Sequence, residues 1–73
     1  MLSEDERIKK LKDVAKESTL VNVRKATIDA LAAYGERAIP AITEVVESSI
    51  TEEVKVHGLQ TIERLRTSAK KET

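Results

Sequence analysis

The chain has 73 residues, no cysteine and a single aromatic residue, Tyr34. That length gives one domain with a small core of Leu, Ile, Val and Ala, and it excludes disulfides, thiolate metal sites and cysteine nucleophiles. Lys plus Arg total 13 and Asp plus Glu total 13, so no net charge draws the chain toward nucleic acid or an anionic membrane.

No apolar run approaches the roughly 20 residues of a membrane span. The opening MLSEDERIKK lacks the apolar stretch of a signal peptide. A cytoplasmic protein without membrane contact is therefore expected. Charged residues make up 36% of the chain, while Asn22 and Gln60 are its only side-chain amides. That balance is a thermophile-like pattern.

The first predicted helix covers about residues 4–18. Ser3 is its N-cap, and Glu4, Asp5 and Glu6 suit the positive end of the helix dipole. Ile8, Leu11 and Ala15 share one face with Val14 beside them, and Ser18–Thr19 forms the break. The second helix, about 20–34, carries a wide apolar arc of Val23, Ala26, Ile28, Ala30, Leu31 and Tyr34. A helix so apolar is expected to lie between neighbours. Gly35 ends it as a C′ glycine.

The third helix, about 36–49, buries Ala38, Ile39, Ile42, Val45 and Val46, with Glu36, Glu44 and Glu47 opposite. Starting at Glu36 places Pro40 in the first turn, where no hydrogen bond is lost. The fourth helix, about 52–69, follows Thr51 and puts Val54, Gly58, Thr61, Ile62 and Leu65 on one face. Residues 70–73 are expected to fray. The short linkers predict antiparallel neighbours in an all-α fold.

A shift of 31 residues aligns the two halves. It carries Ile8 onto Ile39, Val14 onto Val45, Ser18 onto Ser49 and Val23 onto Val54. Leu11 falls on Ile42, Arg24 on Lys55, Ile28 on Leu59, Leu31 on Ile62 and Tyr34 on Leu65. Each half is a helix, a turn and a second helix.

The stretch VRKATIDALAAYGERAIPAITEVVESS resembles a HEAT-type repeat of the short, HEAT-like class. Val23, Arg24, Ala26, Ala30 and Leu31 match the family's first-helix pattern, Gly35 its turn, and Ala38, Ile39 and Pro40 the start of its next helix. Val54, Lys55, Gly58 and Ile62 repeat the pattern. The resemblance spans roughly Ile8 to Leu65 and implies four antiparallel helices forming about two helix-pair repeats, a short α-α superhelix. Two departures stand out. Ser18 and Ser49 occupy the place of the family's turn Asp, which removes the acidic partner of its Asp–Arg ladder, and no proline follows that turn.

His57 has no cysteine to share a metal with, and a structural or exposed role is expected for it. Gly58 is read as a point of close helix approach rather than a hinge. Lys9, Lys12 and Lys16, with Lys10 beside them, form a stripe that could contact phosphates, but Glu6, Asp13 and Glu17 intervene and favour a solvated face. No phosphate loop, paired-carboxylate cleft or nucleophile–base pair is visible. A non-catalytic protein-interaction module or small scaffold is therefore expected, without cofactor or metal. The resemblance makes the first and third helices its ligand-facing pair. Lys9, Lys12, Asp13, Lys16, Glu44 and Glu47 are the candidate contacts there. Val56, Leu59 and Ile62 on the last helix form an uncovered flank for self-association or a partner. Backbone binding of nucleic acid through the Lys stripe is the alternative.

Overall fold

Ser3 opens the first helix with both halves of a capping box: its Oγ accepts from the Glu6 N–H at 3.2 Å, and the Glu6 carboxylate accepts from the Ser3 N–H at 3.1 Å. In the computed structural model, which describes residues 2–71 and the side chains of residues 2–68, four α-helices follow with no strand among the described residues. They are α1 Glu4–Glu17, α2 Val21–Ala32, α3 Ile39–Glu47 and α4 Glu52–Lys71, with a 3-10 turn Gly35–Ala38 ahead of α3. The break at Ser18 is extended backbone, as expected. α4 runs two residues beyond the expected Ala69, to Lys71, and residues 72–73 of the expected frayed tail lie outside the described residues.

The passage from α2 to α3 differs from the sequence expectation. α2 closes at Ala32, and the N–H groups of Ala33 and Tyr34 reach back only three residues, to the Ala30 and Leu31 carbonyls. Gly35 follows in the left-handed region at φ 76°. α3 then starts at Ile39 and not near Glu36. The cause is Pro40: in an α-helix begun at Glu36 its ring would press on the Glu36 carbonyl. The chain takes a 3-10 turn there instead, Glu36 O accepts from Ile39 N–H, and Pro40 enters within the first two positions of α3.

Cross-helix pairs fix the directions. Glu4 meets Arg37 and Lys12 meets Glu44, so α1 and α3 run parallel. Lys25 meets Glu53 and Asp29 meets His57, so α2 and α4 run parallel. The short turns make each helix antiparallel to the next. The result is a slab of two layers, α1 with α3 and α2 with α4, measuring 38 × 33 × 16 Å. Two helices packed about 10 Å apart account for the thin dimension.

The core lies between the layers. Ile28, Leu31, Ile42, Val45 and Val54 are wholly buried, and Ile8, Ala15, Ala38, Ala41 and Ile62 complete it. Leu11, Val21, Tyr34, Ile39, Val46 and Leu65 pack at its edge. Thr27, Thr43 and Thr61 each donate to the carbonyl four residues back, so the buried hydroxyls of Thr27 and Thr61 are satisfied. Gly58 lets α4 approach closely: a Cβ there would lie 2.3 Å from Val46 Cγ2 and 3.5 Å from Ile28 Cδ1.

Some expected core positions are open. Ala26 and Ala30 are exposed, so α2 is covered by α1, α3 and α4 but not all round. Val14 is half exposed because α1 has a neighbour on one side only. Ile62, expected on the uncovered flank, is buried at 6% exposure, because it points between the layers.

Candidate interaction surface

The parallel run of α1 and α3 brings several of the sequence-predicted contact residues together. Lys12 Nζ donates to Glu44 Oε2 at 3.0 Å and Lys16 Nζ to Glu44 Oε1 at 3.5 Å. The Lys12 hydrogen bond holds the Glu44 carboxyl below the usual carboxylate range, against a weaker desolvation effect. Lys12 is largely covered and Lys16 half exposed. Two cations of the Lys stripe are thus occupied by one carboxylate. Lys9, Asp13 and Glu47 remain exposed around this bridge. Lys9, Lys10, Glu6 and Asp13 border only a shallow depression between side chains of α1.

The α2–α4 layer carries a second polar seam. Lys25 Nζ lies 2.8 Å from Glu53 Oε2 and His57 Nε2 lies 2.7 Å from Asp29 Oδ1. Lys25, and to a smaller extent His57 one turn away, lower the Glu53 carboxyl. His57 is half-buried and fastens α4 to α2. On the far side of α4, Val56 is 49% exposed and Leu59 57%.

A groove of about 180 Å³ between the α1–α2 and α3–α4 turns was not anticipated. Val21 and Ile50 form its apolar wall, and Arg24, Ser48 and Ser49 its polar one. Ile50 is 95% exposed and Leu20, in the other turn, 63%. Both sit outside helices, where periodicity assigns no face. Ser48 and Ser49 each donate their hydroxyl to the Val45 carbonyl, so neither is aimed at a base. Among the described residues no three His, Cys, Asp or Glu side chains converge on a metal-sized site. No helix among them is long and apolar enough to cross a membrane.

No family model matches the chain, and neither a curated protein nor a solved structure matches it.

Proposed function

We propose that this chain is a non-catalytic interaction module, a small HEAT-like scaffold in the cytoplasm whose α1–α3 ridge recognises another protein. The Lys12–Glu44–Lys16 bridge carries the reading. It holds a mixed-charge surface rigid across two helices, with Lys9, Asp13 and Glu47 free at its borders. Fixed charges of both signs favour a partner of complementary pattern and discourage others. Nucleic-acid binding is supported less well, because a phosphate backbone needs cations that Glu44 already engages.

The test is affinity capture from the native host with the parent chain and with Lys9→Glu/Lys16→Glu/Glu47→Lys. A partner bound by the parent and lost from the triple variant supports the ridge. A partner retained by the variant removes it. A low-salt gel shift abolished in Lys9→Glu/Lys12→Glu/Lys16→Glu would transfer the function to nucleic acid.

A further inference from the structure

The internal repeat shows what fits the open flank of α4. Residues 31 apart hold equivalent places in the two helix pairs, and α2 packs on α4 inside the chain. Ile28 faces α4 and is wholly buried. Its equivalent Leu59 is 57% exposed, and Val56, the equivalent of half-buried Lys25, is 49% exposed. The opposite half of the contact recurs as well. α4 meets α2 along the side bearing His57 and Gly58, with Thr61 buried one turn on. Their equivalents on α2 are Ala26, Thr27 and Ala30, of which the two alanines are exposed. The molecule therefore carries both halves of its own α2–α4 contact, uncovered, on opposite flanks.

We infer that a second copy of this chain continues the superhelix, seating the Ala26–Ala30 side of its α2 on Val56 and Leu59 of the first. The alanines leave room for the two larger side chains. The same correspondence gives the polar pairs at the junction. The Lys25–Glu53 pair becomes Val56 beside Asn22, and His57–Asp29 becomes Ala26 beside Gln60, so neither of these two pairs desolvates an ion. Arg24 beside Ser49 becomes Lys55 beside Ser18. One junction pair opposes association: Lys16 beside Glu44 becomes Glu47 beside Asp13, two like charges. The contact joins different surfaces of the two copies, so it is head-to-tail and can propagate beyond a dimer, unlike a two-fold contact that closes on itself. This contact goes beyond the α1–α3 ridge reading. Leu59→Asp and Ala30→Glu leave that ridge unchanged, whereas Glu47 and Asp13 border both surfaces, so these two flank variants are the ones that separate the two readings.

Sedimentation velocity over a concentration series tests it. The parent is expected to grow with concentration without a plateau at twice its mass. Leu59→Asp and Ala30→Glu, at opposite flanks and both exposed, should each sediment as monomers. An equimolar mixture of these two should form a dimer and stop there, because each retains the surface the other lacks. Circular dichroism melts confirm that both fold, and Leu59→Lys with Ala30→Lys repeats the test with the opposite charge. Glu47→Lys, which sets a cation against Asp13, should tighten association about fivefold at low salt. A parent and Glu47→Lys that both stay monomeric at every concentration overturn the proposal. So does a closed dimer that Leu59→Asp abolishes and Ala30→Glu leaves intact.

Discussion

Arg24, near the start of α2, donates through Nη1 to the buried hydroxyl of Ser49, 2.7 Å away at the end of α3. The same guanidinium donates through Nε to Ser18 O at 2.7 Å and through Nη2 to Lys16 O at 3.3 Å. One side chain thereby closes the C-terminal ends of α1 and α3. The last carbonyls of a helix lack intrahelical donors and carry partial negative charge, and a guanidinium answers both needs. Ser49 sends its proton to Val45 O at 2.6 Å and keeps its lone pairs for Arg24. A serine thus accepts from the guanidinium, and the ends of α1 and α3 are joined without an ion pair.

Arg24→Met should therefore destabilise the fold by about 2 kcal/mol, the range for hydrogen bonds made by a charged group. Arg24→Lys should recover only part of this, because an ammonium cannot span the carbonyls that end α1 and the Ser49 hydroxyl that ends α3 as a planar fork does. Urea unfolding of the three proteins measures it. A loss below about 0.5 kcal/mol in Arg24→Met would show that water replaces the guanidinium at both helix ends.

Gly58→Ala sets two effects against each other. Alanine gains about 1 kcal/mol of helix propensity. Its Cβ, however, would stand 2.3 Å from a Val46 methyl on α3, and a valine in a helix has one favoured χ1, so the methyl has little freedom to turn away. Overpacking of this kind costs about 1–3 kcal/mol. A net loss of about 1 kcal/mol is expected, lowering Tm by about 4–8 °C. Val46→Ala removes the clashing methyl, so Gly58→Ala should be better tolerated on that background than alone. Equal cost on both backgrounds would move the cause away from Val46.

Much of this was legible in the sequence, for identifiable reasons. Ser3 with Glu6, the apolar spacing of Val54, Gly58, Thr61 and Ile62, and the helix break at Ser18 are local patterns, and local patterns set helices and buried faces. The exposure of Ala26, Ala30 and Val14 was not legible, because it depends on how many neighbours a helix acquires. The same holds for the candidate surface. Lys12, Lys16 and Glu44 could each be placed on a face, but their union required knowing that α1 and α3 lie side by side. The partner of His57, Asp29, stands on a different helix, which no local pattern reveals.

Pro40 offers a control for the α3 start. Lying in the first two positions of α3, it removes an N–H that has no intrahelical partner. Pro40→Ala should then lose only about 0.4–1 kcal/mol, through the greater freedom of the unfolded chain. Thermal melting reads this directly. A loss above about 2 kcal/mol would mean that the ring packs as part of the fold and is more than a local restraint on the turn.

Acidification should weaken the fold in a way that three carboxylates account for. Glu6 is lowered by the Ser3 backbone and hydroxyl, Glu44 chiefly by its Lys12 hydrogen bond, and Glu53 chiefly by that from Lys25. Each releases its proton more readily folded than unfolded. The stability they contribute is complete above the unfolded carboxylate value, about 4.3, and is lost as pH falls through the lower folded values. Melting temperature should thus hold steady near neutrality and decline below about pH 4.5. Glu44→Gln should melt below the parent at neutral pH and converge on it in acid, where Glu44 itself is protonated. All three groups are exposed, so added salt should shrink the neutral-pH gap for Glu44→Gln. A gap that stays constant from neutral pH into acid would show that the Glu44 side chain acts by packing and not by charge.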